Sequence, residues 1–285
     1  MSKRILFLLS LLTFNLFAQP TERRGFKMTW AINDAPPFHI VDGELQNAGM
    51  CDVLIDALKQ QMTFTHHDIV LMPQTRIKML TKQKENLCFP CLIKRQDNDV
   101  WVYSDPTVTH APLGIIGRPD VLEPYIGESG RVSLKALVEN KRLRMGKPLA
   151  RRYPEPLQVL IDSLRTRDNF AELSGENATD RVLSQIEAGR LDYTLEYPSI
   201  LKFHNITSGQ SAKHSASHRS ESLVYYETEE LGNAGVVGAI GCTSNEWGAQ
   251  AIQKINAALP YVLSDPIYQK QQAFWYGEVN SPTRN

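Results

Sequence analysis

The sequence has no excess of charge of either sign, and this excludes several kinds of partner. Its 285 residues include 31 basic and 31 acidic side chains. Proteins that attract nucleic acid or an anionic membrane do so through a strongly basic surface or net charge. We therefore predict a small-molecule partner and no binding to nucleic acid.

The sequence also lacks the short motifs of common catalytic and cofactor sites. It contains no G-x-S-x-G, no P-loop and no H-E-x-x-H. Glycines recur at every third position from Gly232 to Gly241, but they do not form the G-x-G-x-x-G of a dinucleotide site. We interpret them as strand and turn glycines, and predict neither a catalytic residue nor a cofactor.

The first 18 residues have the pattern of a secretory signal peptide. Lys3 and Arg4 precede an apolar run, Ile5–Leu12, which resumes at Phe14–Phe17 and ends at the small residue Ala18. The run is too short for a membrane span, which needs about 20 apolar residues. We predict export to the periplasm with cleavage after about Ala18; a retained N-terminal anchor is the alternative.

Cysteine is scarce, and export changes how the four cysteines are interpreted. In an oxidising compartment they are disulfide candidates rather than metal ligands. In an extended strand Cys88 and Cys91 would lie roughly 10 Å apart, too far for a bridge, unless the chain turned sharply at Pro90. The histidines of His214–His218 lack a matching ligand spacing, so no metal site is predicted. The four cysteines are Cys51, Cys88, Cys91 and Cys242.

Strand and helix patterns alternate along the first third of the mature chain. This order predicts an α/β fold with a mainly parallel sheet, whose ligands lie beyond the carboxyl ends of the strands. Because proline cannot donate a ladder hydrogen bond, we expect the third strand to leave its sheet at Pro90. The predicted elements are strand Lys27–Ile32, helix Met50–Met62, strand His66–Met72, helix Thr75–Gln83 and strand Leu87–Ile93.

The apolar segment Thr107–Arg118 is predicted as one long strand, after which the chain crosses to a second lobe at about Arg118–Leu122. The same alternation then continues, and a polar stretch, Thr207–Ser222, precedes the return. We predict lobe 1 from residues 19–118 and 232–285, and lobe 2 from residues 119–231. The further predicted elements are helix Leu134–Asn140, strand Leu143–Gly146, loop Lys147–Tyr153, helices Pro156–Thr166 and Thr179–Ala188, strands Leu191–Glu196, Leu223–Tyr226 and Gly235–Cys242, and helices Trp247–Leu259 and Asp265–Trp275.

Arg95 lies where the third predicted strand ends, in the segment CLIKRQDNDVWVYSDP, Cys91–Pro106. An arginine in a polar run is commonly a solvated surface charge. Just beyond a buried strand of an α/β sheet, however, it lies at the edge where ligands bind. We therefore predict that Arg95 contributes to a binding cleft.

Three segments together resemble the type II periplasmic solute-binding proteins of family 3. The segment WAINDAPPFHIVDGELQNAGMCDVLIDAL is similar to the opening strand, Pro-Phe turn and first helix of that family. CLIKRQDNDVWVYSDP is similar to its arginine-bearing segment, and EAGRLDYTLEYP to a strand of its second lobe. The resemblance covers nearly all of the mature chain. It implies two lobes, each a mixed, mainly parallel sheet flanked by helices, that close on a ligand.

The resemblance implies a set of ligand-binding residues in the cleft. The arginine at the place of Arg95 would hold a carboxylate through two parallel N–H bonds, and Phe38 would form an apolar wall. Trp30 and Tyr103 are weaker aromatic candidates, and core packing is the stronger interpretation for Trp30. The complete candidate set is Asn33, Asp34, Phe38, Arg95, Tyr103, Lys147, Glu196 and Tyr197.

The sequence departs from the amino-acid-binding members of the family after the second-lobe strand. Those members place there an aspartate that pairs with the ammonium group of the ligand. Here Tyr197 occupies that place, with Glu196 before it. Because successive side chains of a strand point to opposite faces, Glu196 does not simply replace the aspartate. An α-amino acid is therefore not assumed to be the ligand.

The resemblance also implies a pairing of the cysteines. In that fold the returning strand lies antiparallel beside the third strand of lobe 1, which would bring Cys242 near Cys88. Cys51 and Cys91 would both lie toward the cleft. We therefore expect the disulfides Cys88–Cys242 and Cys51–Cys91.

The function implied is capture of a small polar, carboxylate-bearing solute for ABC-type uptake by a monomeric protein. The expected protein partner is an ABC permease of the inner membrane. One alternative is a sensory or storage protein without a transporter. Another is an exported dehydratase, since a few members of the fold act on cyclohexadienyl acids; Glu196 or His110 would then be the general acid.

Overall fold

The structure, a computed structural model, describes residues 25–95, 99–149, 151–175, 177–212, 223–232 and 235–277. The predicted signal peptide, Met1–Ala18, and the segment His214–His218 lie outside the described residues. Within those ranges, no helix combines the length and apolar character needed to cross a bilayer.

The described strands and helices alternate over most of the chain, as the sequence predicts. In chain order the strands are β1 (Lys27–Ile32), β2 (His66–Leu71), β3 (Cys88–Ile93), β4 (Trp101–Tyr103), β5 (Val108–His110), β6 (Gly114–Gly117), β7 (Met145–Pro148), β8 (Phe170–Leu173), β9 (Tyr193–Glu196), β10 (Val224–Glu227) and β11 (Val236–Thr243). The helices are α1 (Met50–Gln61), α2 (Gln74–Lys82), α3 (Pro119–Leu122), α4 (Leu134–Glu139), α5 (Leu157–Asp162), α6 (Ala178–Glu187), α7 (Pro198–Ala212), α8 (Glu246–Ser264) and α9 (Pro266–Tyr276).

The first sheet has the strand order β2-β1-β3-β11-β4, and β5 pairs with β11. Strands β1, β2 and β3 are parallel, whereas β11 runs antiparallel to β3, β4 and β5. Its core lies between the sheet and the apolar faces of α1 and α8, because both helices repeat apolar residues at helical spacing. Trp30 is completely buried in this core and donates its indole N–H to His67 at 3.0 Å. It is a core residue.

The second sheet has the strand order β10-β6-β9-β7-β8. Strands β7, β8 and β9 are parallel, and β6 runs antiparallel to both β9 and β10. Strands β6, β7 and β9 are buried along their whole length, as expected for central strands covered on both faces. The two sheets have separate hydrophobic cores, which supports a division into two lobes.

The segment predicted as one long strand, Thr107–Arg118, is instead two short strands in different sheets. Strand β5 belongs to the first sheet, and β6 belongs to the second. Pro112 separates them, and a proline cannot donate a ladder hydrogen bond. The first passage between the sheets therefore lies at residues 111–113, and the predicted crossing at Arg118–Leu122 is wrong.

Strand β3 continues through Pro90, so the prediction that it leaves its sheet there is also wrong. The pairing of β3 with β11 shifts register in this region: Ala239 lies opposite Leu92, and Gly241 lies opposite Phe89. Such a bulge accommodates a residue that cannot take part in the regular ladder. The strand therefore remains in the sheet and carries Cys91 to its far end.

Two disulfides are present, Cys51–Cys91 and Cys88–Cys242. They are the pairs that the resemblance implies. Cys88 and Cys242 lie directly opposite each other on β3 and β11, so this bond joins the early part of the first sheet to its returning strand. Cys51, in the first turn of α1, is joined to the far end of β3.

Helix α7 was not predicted, because its second half falls in the polar stretch Thr207–Ser222. The helix begins at Pro198, directly after Tyr197. Its buried His204 lies between two carboxylates of α6: Nδ1 is 2.6 Å from Asp180 and Nε2 is 3.2 Å from Glu187. Burial lowers the pKa of His204, but the two carboxylates outweigh burial and raise it to about 9. A protonated imidazole therefore ties α7 to α6.

We expect this contact to make stability depend on pH. Because the pKa of His204 is higher in the folded state than its ordinary value of about 6.5, its contribution is complete below about pH 6.5 and is lost as pH rises through about 9. Because Asp180 is partly exposed, solvent weakens its interaction with His204, and the contribution of this contact to the free energy of unfolding is about 2 kcal/mol.

The measurement is urea unfolding of the natural protein and of His204→Gln at about pH 6 and about pH 10. The difference in unfolding free energy between the two proteins should be about 2 kcal/mol smaller at the higher pH. Taking this difference removes the titration of other groups. A difference that did not change with pH would contradict the protonated contact.

Candidate functional site between the two sheets

Tyr197 lies at the contact between the two halves of the molecule. It follows the last residue of β9 in the second sheet and is 7% exposed. Its ring makes edge contacts with Phe38 at 6.4 Å and with His110 at 5.4 Å, measured between ring centroids. His110 in turn stacks on Tyr276 at 5.3 Å. We call these four residues the Tyr197 cluster; three of them come from the side of the first sheet.

The turn that carries Phe38 is fixed against the start of α1. The backbone amides of Met50 and Cys51 donate to the carbonyls of Pro37 and Phe38 at 3.0 and 2.9 Å, which satisfies donors that a helix start leaves unpaired. Gly49 permits this approach, because a Cβ at that position would lie 2.5 Å from the Phe38 oxygen. The close contact of turn and helix therefore sets where Phe38 lies.

Asp52 adds a second fixation of the same turn. Its carboxylate accepts from the backbone amides of Ile40 at 2.9 Å and Gly49 at 3.2 Å, and from Nδ1 of His39 at 2.6 Å. His39 is completely buried beside the aromatic cluster residue Phe38. Charge-assisted bonds of this kind are stronger than neutral ones. The Phe38 turn is thus held independently of any ligand.

Arg95 lies two residues beyond the end of β3, and four residues beyond the disulfide-bonded Cys91. Its side chain is exposed, and no acidic residue of the described ranges forms an ion pair with it. Burial raises the pKa of the Tyr197 hydroxyl, and the positive charges of Arg151 and Arg95 partly oppose that rise. The charge of Arg95 therefore reaches Tyr197 from the opposite half of the molecule.

Arg151 and Glu196 form an ion pair beside Tyr197. Nε of Arg151 donates to one oxygen of Glu196 at 2.7 Å, and Nη2 donates to the other oxygen. Glu196 is completely buried, whereas 26% of the Arg151 side chain is exposed. The guanidinium carbon lies 6.0 Å from the centre of the Tyr197 ring. Burial raises the pKa of Glu196, and the charge and hydrogen bonds of Arg151 oppose that rise.

Lys147 is a strand residue of the second sheet, and its predicted position in a loop is wrong. It is the third residue of β7 and is completely buried. Its Nζ lies 2.8 Å from Glu172, its partner in the register of β7 and β8. Arg165 approaches the same carboxylate at 3.7 Å. The ammonium group of Lys147 is therefore paired with Glu172 within the second lobe.

Three other predicted residues lie on the side of the first sheet. Asn33 and Asp34 follow β1, and Asn33 donates its side-chain amide to the Asp34 carbonyl at 3.4 Å. Tyr103 ends β4, opposite Gly241 of β11. A role for these three residues in ligand binding stays a prediction.

Two residues of the candidate site, Arg151 and Tyr276, are not among the residues predicted from the sequence. Arg151 had a detectable signal, since Arg151 and Arg152 follow a predicted strand of the second half at the edge where ligands bind. Tyr276 had none, because the last residue of a C-terminal helix gives no local indication of its partner. In the described part of the chain, no group of three or more acidic, histidine or cysteine side chains could hold a metal ion.

Comparison with known proteins identifies the fold. No protein-family model matches the chain, and no curated protein matches it. Among solved structures, it is similar to the probable amino-acid ABC transporter extracellular-binding protein ytmK of Bacillus subtilis, with a TM-score of 0.59 and 16% identity over 89% of this chain and 99% of that one. The chain has the type II periplasmic-binding fold. The fold expected from the sequence is therefore confirmed.

Two reconstructed proteins also share the type II periplasmic-binding fold. One is an ancestral amino-acid-binding protein described as a precursor of cyclohexadienyl dehydratase, with a TM-score of 0.58 and 15% identity over 89% of this chain and 96% of that one. The other is an ancestral arginine-binding protein bound to glutamine, with a TM-score of 0.55 and 18% identity over 90% and 99%. In this fold, the Tyr197 cluster lies between the two lobes.

Proposed function

We propose that the protein is an exported solute-binding protein that holds a small carboxylate-bearing solute between its two lobes. The observation that carries the proposal is Arg95, an exposed guanidinium at the end of a central strand, without an acidic partner in the described residues, whose charge reaches Tyr197 of the other lobe. A planar guanidinium binds a carboxylate through two parallel hydrogen bonds.

The surroundings of Arg95 suit a ligand enclosed by lobe closure. Ligands of α/β sheets bind beyond the carboxyl ends of the strands, which is where Arg95 and Tyr197 lie. Phe38 and Tyr197 offer aromatic surfaces that would cover the apolar part of a solute. The chain passes between lobes at residues 111–113 and again between β10 and β11, and these passages are the candidate hinges.

Export to the periplasm and delivery to an ABC permease complete the proposal. The N-terminal pattern of residues 1–18 and two disulfides favour an oxidising compartment. The Bacillus subtilis protein of similar fold is named as an ABC transporter binding protein. We propose a monomer with a cleaved signal peptide.

Replacement of Arg95 by alanine should weaken carboxylate binding about 10- to 100-fold, because hydrogen bonds to a charged group are lost. Native mass spectrometry of protein from its own host would identify the bound solute, and a thermal-shift titration would then compare affinities. A ligand at about a hundred times its dissociation constant adds about 2.7 kcal/mol of stability.

Lys94→Ala is the matched control, because it removes the neighbouring positive charge. The ammonium group of Lys94 donates to the Ser104 carbonyl at 3.3 Å. It should retain nearly all of the affinity. Equal binding by the natural protein and Arg95→Ala would show that the carboxylate is held elsewhere.

Two alternatives share this fold. A sensory or storage protein would bind the same solute, and only an uptake assay in a strain lacking the gene separates it from a transport protein. The dehydratase alternative has support from one neighbour's description as a precursor of cyclohexadienyl dehydratase. However, Arg151 engages both oxygens of Glu196, which leaves His110 as the candidate acid. Turnover of a cyclohexadienyl acid that is lost in His110→Gln would favour the enzyme.

A further inference from the structure

Among the described residues, two guanidinium groups and one carboxylate shift the pKa of the Tyr197 hydroxyl. Arg151 and Arg95 lower the pKa of its hydroxyl, and Glu196 raises it. Their sum is one positive charge. His110 does not add to this charge at neutral pH, because burial lowers its pKa and its Nδ1–H donates to the Ala111 carbonyl at 2.8 Å.

The second lobe exposes the cation of its ion pair and hides the anion. Glu196 is 0% exposed, and Arg151 is 26% exposed. Both oxygens of Glu196 already accept hydrogen bonds from Arg151. An ammonium group in the cleft would therefore meet the exposed guanidinium of Arg151 before the buried carboxylate of Glu196.

Arg151 keeps a donor for a ligand. Its Nε and Nη2 bind Glu196, and no hydrogen bond between described residues uses Nη1. The guanidinium also lies over the Tyr197 ring, 6.0 Å from its centre, and the charge of Arg95 in the other lobe lowers the pKa of the same hydroxyl. The pairing with Glu196 fixes the plane of the guanidinium, and so reduces the ordering that ligand binding requires.

We propose that the second lobe binds the ligand through the guanidinium of Arg151, and that the ligand is a small organic carboxylate without an ammonium group. This inference rests on the proposed function and narrows its solute class. Arg95 and Arg151 hold the carboxylate from opposite lobes, so that binding draws the lobes together. The aromatic rings of the Tyr197 cluster cover the uncharged remainder of the solute.

The test compares matched compounds that differ only in an amino group: 3-phenylpropionate with phenylalanine, 4-methylpentanoate with leucine, and glutarate with glutamate. In titrations of the natural protein, the compound without the amino group should bind at least about tenfold more tightly, because the second lobe offers an ammonium group the Arg151 guanidinium in place of the buried Glu196 carboxylate. Arg151→Lys keeps the charge beside Glu196 but loses the planar fork. It should weaken binding of that compound about tenfold, whereas Arg152→Ala, at the exposed neighbour, should not.

Other outcomes separate this inference from the proposed function. Tighter binding of the amino acids, dependent on Arg95 and lost in Asp34→Asn, would overturn the inference and leave the proposed function in place. Unchanged affinity in Arg151→Lys would overturn the role of Arg151. If no compound of these pairs and no solute recovered from the host bound, both the inference and the proposed function would be wrong.

Discussion

Replacing both Cys88 and Cys242 by alanine should lower the free energy of unfolding by about 5 kcal/mol. The bond joins residues 154 positions apart, and in the chain-entropy model a cross-link over so long a loop removes about that much entropy, expressed as free energy, from the unfolded chain. The bond also holds β3 against β11 at the middle of the first sheet. In the sequence, β3 precedes the second lobe and β11 follows it. The bond therefore joins the two separate parts of the first lobe.

Urea unfolding of the natural protein and the double variant, both fully oxidised, measures this difference. The pair Cys51–Cys91 is the internal comparison, because it spans 40 positions and should contribute about 4 kcal/mol in the same model. Its loss should also weaken ligand binding, since it fixes β3 just before Arg95. A loss of less than about 1 kcal/mol for Cys88–Cys242 would contradict the entropic account.

The sequence was sufficient for the elements whose side chains repeat with a clear period. Strand β1 has the predicted bounds, and α1 ends one residue before its predicted end, because apolar spacing follows directly from which face is buried. Helix α7 was missed for the opposite reason. Its second half is polar, and its position depends on contacts made after folding, such as His204 with α6 and Phe203 with Trp275.

The candidate site also combines features that follow from local sequence with contacts between distant segments. The position of Arg95 just beyond the end of β3 could be predicted, because that relation is local in the sequence. The ion pair of Arg151 and Glu196 could not, since its partners are 45 residues apart and meet only when β7 and β9 lie side by side. The prediction of one long strand at Thr107–Arg118 failed for another reason: a single proline, Pro112, divides this apolar run between the two sheets.

Replacing Arg151 by alanine should lower the free energy of unfolding by about 3–5 kcal/mol. The substitution leaves the carboxylate of Glu196 completely buried without its partner, and an unpaired buried charge costs about that much. Because the stranded carboxylate can regain stability only by taking up a proton, the loss should become smaller as pH is lowered toward about 5.

Two further variants separate the buried charge from simple loss of packing. Arg152→Ala removes an arginine from the exposed neighbouring position, and should change the unfolding free energy by no more than about 0.5 kcal/mol. The double variant Arg151→Met with Glu196→Leu removes both charges and fills their space, and should recover most of the stability lost in Arg151→Ala. If the double variant were less stable than Arg151→Ala, packing around the guanidinium rather than the stranded charge would be the cause. Recovery of stability without recovery of carboxylate binding would show that the pair is dispensable for folding, and that its role lies in the cleft.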